Sequence, residues 1–98
     1  MLERLTCQDF EKRLNQVFRL NFGGDTIDVK LAQCQRLNSG GRNDAGREPF
    51  SLIFLGPQKP VLPQQIYEFD FGELGRLEIF IVPIGPDRSG MIYQAVFA

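Results

Sequence analysis

Three carboxylates, two cysteines and one polar hairpin tip are the parts of this chain whose residue types could do chemistry. Glu68, Asp70 and Glu78 stand at alternating positions of two extended runs, so one sheet face gathers them. Three carboxylates together suit a hard cation such as Ca²⁺, or an acid–base pair. Tyr67 and Tyr93 would join them if the sheet curls into a barrel with a polar mouth. Gly85-Pro86-Asp87-Arg88-Ser89-Gly90 presents a carboxylate, a guanidinium and a hydroxyl between glycines. Arg36, Arg42 and Arg47, in and beside a glycine-rich stretch, are placed to touch phosphate. Cys7 falls at the first position of a helix, where the dipole lowers a thiol pKa.

Each of these has a plainer reading. A row of carboxylates on a strand face is usually solvated, here with Arg76 close to Asp70. The Gly85–Gly90 segment is most economically a turn: Pro86 sets φ, Asp87 folds its carboxylate onto nearby N–H groups, and Gly90 takes positive φ. Its Arg88 is then surface. Gly23-Gly24-Asp25 and Ser39-Gly40-Gly41-Arg42 match neither a P-loop nor a dinucleotide fingerprint and read as turns. The arginine-bearing stretch holds no aromatic on which a base would stack, which argues against single-stranded nucleic-acid binding. Cys34 is expected to face the core, and a Cys7–Cys34 bond requires the helix start to lie over the second strand.

Composition closes off further classes. The chain has 98 residues and no histidine, which removes His-based triads, Cys–His pairs and most zinc and haem sites. Eleven Lys and Arg against twelve Asp and Glu leave a net charge of −1, no footprint for a nucleic acid or an anionic membrane. Two cysteines are too few for a disulfide scaffold. The first residues, MLERLTCQDFEKRL, are charged throughout, and no apolar run approaches the ~20 residues that span a bilayer. A single cytoplasmic domain, residues 1–98, needing no metal or cofactor, is the expectation.

The elements follow from periodicity. Thr6 and Asp9 form a capping box, with Leu5 and Phe10 as the hydrophobic staple. Phe10, Leu14 and Val17 or Phe18 continue at helical spacing, predicting a helix from Thr6 to about Gln16. Phe18, Leu20 and Phe22 then alternate with polar residues, as do Ile27, Val29 and Leu31, with a turn at Gly23-Gly24-Asp25. The phase slips between there and Leu37, which predicts a bulge. Asn38 to Glu48 reads as a mobile loop, dispensable for folding. Strands follow at Phe50 to Leu55, Gln64 to Phe71, Arg76 to Ile84 and Met91 to Phe97. A proline-bounded connector, Gln58 to Pro63, separates the first two of these. The fold class is mainly β (α+β): one N-terminal helix packed on a six-stranded antiparallel meander, forming a small barrel or sandwich.

Two details can be fixed more closely. A three-residue loop Glu73-Leu74-Gly75, with Gly75 at positive φ, pairs Phe71 with Leu77, Phe69 with Ile79 and Tyr67 with Ile81. Asp70 then lies opposite Glu78, and Phe80 opposite Glu68. Pro83 deletes a ladder donor within an apolar strand, so it fits an edge, a bulge or a corner where the strand changes partners.

The strings FSLIFLGP (Phe50 to Pro57), LPQQIY (Leu62 to Tyr67), ELG (Glu73 to Gly75) and FIVPIGPDRSGMIYQAVF (Phe80 to Phe97) resemble an uncharacterised family of small bacterial domains. In such domains a phenylalanine-serine strand leads to Gly-Pro, then to Leu-Pro-Gln, then to a Val-Pro-Ile-Gly-Pro hairpin. The likeness spans nearly the whole chain and implies no activity, so no catalytic residue comes with it. It implies an association with phage-tail-collar-like surface-fibre loci, and hence phage-tail-like fibre components as partners.

Apolar side chains occur on both faces of the strands: Ile53 and Leu55 against Phe50, Leu52 and Phe54, and Phe80 and Val82 against Ile79 and Ile81. One small core does not bury both sets. The expected function is therefore a non-enzymatic interaction or assembly module, meeting a protein partner or itself through Phe80, Val82, Ile92 and Val96. The last strand carries no charge to guard its edge and stops at Ala98. It is expected either to close the barrel internally by pairing with an early strand such as Gln16 to Phe22, or to pair across an interface. The alternative is a small-ligand-binding or enzymatic barrel. A closed pocket with convergent polar groups favours that alternative, and a flat apolar patch beside an unpaired edge favours the module.

Overall fold

The computed structural model describes residues 5–37 and 49–97. The loop expected over 38–48 lies outside the described residues. The elements are α1 (Cys7–Glu11), β1 (Val17–Phe22), β2 (Asp25–Arg36), β3 (Phe50–Gly56), β4 (Gln65–Asp70), β5 (Arg76–Pro83) and β6 (Met91–Phe97). The six strands close a barrel in the order β1-β2-β3-β6-β5-β4, every pair antiparallel. The expected β fold with one N-terminal helix is present. Its order departs from a simple meander at one connection, because β3 and β4 are not neighbours. Two three-stranded meanders lie side by side, their first strands pairing (β1 with β4) and their last strands pairing (β3 with β6).

The helix begins as the sequence dictates and stops early. Thr6 Oγ1 accepts from the N–H of Asp9, and the Asp9 carboxylate accepts from the N–H of Thr6, at 2.9 Å. The helix ends at Glu11, one turn short of the predicted Gln16. The sheet wins the competition for the missing turn: Asn15 N–H donates to the Leu31 carbonyl and Leu31 N–H to the Gln16 carbonyl. Asn15 reaches that pairing in the left-handed region, φ 72°. Leu14, meant for the core, is left exposed. So short a helix has little stability of its own and is held by what it covers.

Strand phase puts Phe50, Leu52 and Phe54 of β3 wholly inside, with Leu20, Leu31, Phe69 and Ile81 from other strands. The predicted slip in β2 falls between Leu31 and Gln33. Each end of the barrel has a stopper. At one end Phe10 inserts among Phe50, Phe71 and Phe97, ring centroids 5.8, 5.7 and 5.7 Å away. The helix start lies over β2, and Cys7 and Cys34 are joined in a disulfide, so the condition set by the sequence for that bond is met. At the other end the connector 57–64 lays the fully buried Leu62 across the opening. Leu62 N–H donates to the Tyr93 hydroxyl at 2.9 Å, and the Tyr67 hydroxyl donates to the Pro63 carbonyl at 2.7 Å.

That second stopper is sensitive to alkali. Burial pushes the Tyr67 phenol above its ordinary value, and the neighbouring Tyr93 adds to the rise. The neutral phenol is thus favoured by folding, and its contribution is fully present below the unfolded value of about 10. It is lost as pH rises through the raised folded value. Thermal melts should hold steady from pH 7 to 9 and fall above roughly pH 10, and Tyr67→Phe should flatten that fall.

Ser51 faces out of the barrel opposite Val96, yet it is fully buried and its Oγ finds no partner among the described residues. Ser51→Ala removes an uncompensated hydroxyl and is expected to raise the unfolding free energy by about 1 kcal/mol. A loss of that size in a denaturant titration would show that the hydroxyl is paired.

The β4–β5 hairpin keeps the expected phase and shifts its register. The pairs are Asp70 with Arg76, Glu68 with Glu78 and Phe69 with Leu77, in place of Phe69 with Ile79. The loop is therefore Phe71–Gly75, longer than the predicted Glu73-Leu74-Gly75. The core takes Phe71 out of the ladder: its ring stacks on Phe69 and packs against Phe18 at 4.7 Å. Gly72–Leu74 forms a 3₁₀ turn, and Asp70 Oδ1 accepts from the Gly72 N–H at 3.0 Å. Gly75 has φ 84°, as expected, with open space where a Cβ would go. At ψ −163° that φ lies in a region nearly confined to glycine, so Gly75→Ala should cost the backbone strain alone, about 1–3 kcal/mol, read as a drop in melting temperature.

Candidate interaction surface

The register decides what the carboxylates can do. Glu68 faces Glu78 directly across β4 and β5, while Asp70 faces Arg76. The predicted neighbours, Asp70 with Glu78 and Glu68 with Phe80, are each displaced by two residues. Asp70 belongs to a row of alternating charge on the barrel exterior: Asp28 opposite Arg19, Arg19 opposite Asp70, Asp70 opposite Arg76. Each such cross-strand pair stabilises by roughly 0.2–1 kcal/mol. The row spans the short β1·β4 ladder, the one that closes the barrel. Glu68 accepts from the Asn21 amide across the same seam, at 2.6 Å. Among the described residues no group of three or more His, Cys, Asp or Glu is arranged to hold a metal ion.

The remaining polar candidates are occupied. Tyr67 and Tyr93 point inward and hold the Leu62 stopper, so they do not meet the outward carboxylates. Arg36 is paired with Glu11 at 2.8 Å, tying β2 to the helix. Arg42 and Arg47 lie outside the described residues. In the Gly85–Gly90 turn Asp87 Oδ1 accepts from Ser89 N–H at 2.7 Å and Gly90 N–H at 3.2 Å, and Arg88 is exposed. The turn reading stands.

The described residues line two grooves. One of about 720 Å³ runs between β1 and the β4–β5 loop, where Arg13 is 3.4 Å from Glu73, and Lys12 and Arg19 are matched by Asp28 and Asp70. Another, about 470 Å³, has an aliphatic floor of Ile53, Leu55, Ile84 and Ile92. Neither is a closed pocket with convergent polar groups.

The notable feature lies between β5 and β6. β5 pairs with β4 from Arg76 to Ile81 and with β6 only at Val82 and Pro83. Pro83 thus sits where the strand changes partners. The hydrogen bonds settle which way each residue points. Phe71 N–H donates to Gly75 O at one end of β5, and Ile84 N–H donates to Ile92 O just beyond the other. Antiparallel ladders alternate, so Leu77, Ile79 and Ile81 bond β4, and the backbone groups of Arg76, Glu78, Phe80 and Val82 face β6. Pro83 points its missing N–H toward β4, which has already ended. It therefore sacrifices no ladder bond.

Below Val82·Gln94 the two strands part. No strand among the described residues pairs with the β6-facing edge of Arg76, Glu78 and Phe80, nor with the β5-facing edge of Val96, whose other edge runs along β3. Nearest the junction the outward side chains are apolar, Phe80 48% exposed and Val96 60%, and further along β5 they are the charged Glu78 and Arg76. Ile66, directly opposite Phe80 on β4, is 59% exposed and extends the patch. Of the four side chains expected to dock a partner, Phe80, Val82 and Val96 gather here, Val82 half-buried. Ile92 falls in the aliphatic groove instead. Ile66 was missed, although its alternation with Tyr67 and Phe69 puts it on the outer face.

The last strand closes internally into the barrel, the first of its two expected outcomes, and differs only in its partner. β6 runs along β3, from Phe50·Phe97 to Gly56·Met91, and the partner of Val17–Phe22 that closes the barrel is β4. A model of a domain of unknown function, DUF6916, matches residues 5–97, taking in every strand and the helix. The chain belongs to the DUF6916 family. No match was found among curated proteins or among solved structures. The DUF6916 barrel has no helix, among its described residues, long and apolar enough to cross a membrane.

Proposed function

We propose that this domain is a non-enzymatic interaction module that docks another protein on the outer face of β5 and β6. The observation that carries the reading is the split below Val82·Gln94, an unpaired strand edge flanked by exposed Phe80, Ile66 and Val96. An edge of this kind, whose charges Arg76 and Glu78 leave Phe80 uncovered, is a template for another chain of complementary charge. The enzymatic or ligand-binding alternative needs polar groups converging on a cavity, and the tyrosines that would supply them are spent on Leu62 and Pro63 of the connector. Phage-tail-like fibre components remain the partner class that the sequence resemblance suggests.

The test places a lysine on the patch, as Phe80→Lys and, separately, Val96→Lys. Both sites are exposed, so melting temperatures should stay within a few degrees of the parent. Partner retained from host extract, or self-association measured by light scattering, should be lost in both variants. Retention in both would remove the patch from the interaction.

A further inference from the structure

We infer that the split receives an extended segment of another protein, added as a strand along the β5 edge, and that this segment sets a basic side chain between apolar ones against Glu78. The inference rests on the interaction reading above and names its mode and its partner's chemistry. Backbone groups come first. Arg76, Glu78 and Phe80 turn their N–H and C=O groups toward the gap, in the same phase as Val82, which pairs with β6. An incoming strand therefore continues a ladder that already exists. It needs no rearrangement of the β4·β5 pairing.

The side chains that such a strand would meet alternate along β5 with the same period. Residues whose backbone faces the gap carry the outward side chains, so the neighbours on offer are Arg76, Glu78 and Phe80. Arg76 already faces Asp70. Glu78 faces Glu68, a like charge in the close, non-hydrogen-bonded type of pair. No basic residue among the described ones is ion-paired with Glu78. A lysine or arginine on the added strand would relieve that opposition. Apolar residues two positions away would cover Phe80 and, across the gap, Val96. Opposite charges set directly across strands favour pairing and like charges oppose it.

The same arithmetic disfavours a second copy of this chain as the occupant. Two β5 edges related by a two-fold axis and using all three edge residues would bring Glu78 onto Glu78, beside the existing Glu68. Arg76 would fall against Phe80. A partner of different sequence avoids both.

The experiment titrates ¹⁵N-labelled full chain with two terminally blocked six-residue peptides, Val-Thr-Lys-Thr-Val-Thr and Val-Thr-Glu-Thr-Val-Thr, which set a lysine or a glutamate between valines on one strand face. Expected are saturable shifts and slowed amide exchange at Arg76, Glu78, Phe80 and Val96 with the lysine peptide, which binds roughly fivefold tighter than the glutamate peptide. Glu78→Lys, an exposed change, should reverse that preference with the fold intact by circular dichroism. Equal binding of the two peptides, no binding of either, or shifts centred on Ile53, Leu55 and Ile92 would overturn the inference. So would a dimer in sedimentation that Phe80→Lys disperses. Failure of both peptides, alongside partner loss in Phe80→Lys and Val96→Lys, would sink strand addition and leave the interaction reading standing.

Discussion

Phe10→Ala should lower the unfolding free energy by about 3–5 kcal/mol, the usual cost of removing a fully buried phenylalanine. For a domain of this size that corresponds to a fall in melting temperature of roughly 15–30 °C. The helix has only five residues, so its own backbone contributes little, and Phe10 is its main hold on the barrel. The ring touches Phe50 and Phe97, stacked on each other at 4.7 Å, and also Phe71. Those three rings come from β3, β6 and the β4–β5 loop. Deleting Phe10 therefore opens a cavity shared by both meanders, and the loss should appear in the single global transition. The Cys7–Cys34 disulfide keeps α1 tethered to β2 and limits how far it can drift. Circular dichroism melts at fixed pH read the result. A change below about 1 kcal/mol would mean that the helix merely rests on the barrel end.

What the sequence disclosed and what it withheld divide along a physical line. Strand phase, the capping box, the bulge in β2 and the turn chemistry of Asp87 and Gly90 are local, set by residues within a few positions of one another. All of these were legible. The register of β4 on β5 was misjudged by two residues because Phe71 has a second option. It can stay in the ladder or enter the core, and the rings of Phe10, Phe18 and Phe54 that attract it come from distant segments. The helix was overextended for a similar reason, since Leu31, fifteen residues on, claims Asn15 and Gln16. The split between β5 and β6 was not legible at all. It depends on where β5 stops pairing with β4 and starts pairing with β6, and Pro83 marked that place without saying which strands meet there. Apolar residues on both strand faces did signal a surface with work to do, though not its boundary.

Gly90→Ala should be the most damaging of the glycine substitutions, with an expected loss above about 3 kcal/mol, because two penalties act at once. Gly90 lies at φ 152°, where a side chain is strained. A Cβ there would also run into the carbonyl oxygen of Gly56, a backbone atom at the end of β3 that cannot swing aside. Gly56 pairs with Met91, so displacing it pulls on the β3·β6 ladder, the longest of β6 and one of the two that join the meanders. Gly56 itself is buried against Val29 and Tyr93, leaving it no room to retreat. The same clash would loosen Tyr93, whose hydroxyl accepts from Leu62 N–H and seals that end of the barrel. Gly75→Ala provides the control, since it has positive φ and no neighbour within reach. Denaturant titrations should therefore show Gly90→Ala the less stable of the two by about 1 kcal/mol or more, the share of the clash. Equal losses would mean that backbone strain alone governs both turns, and that the β5–β6 hairpin does not rest on β3.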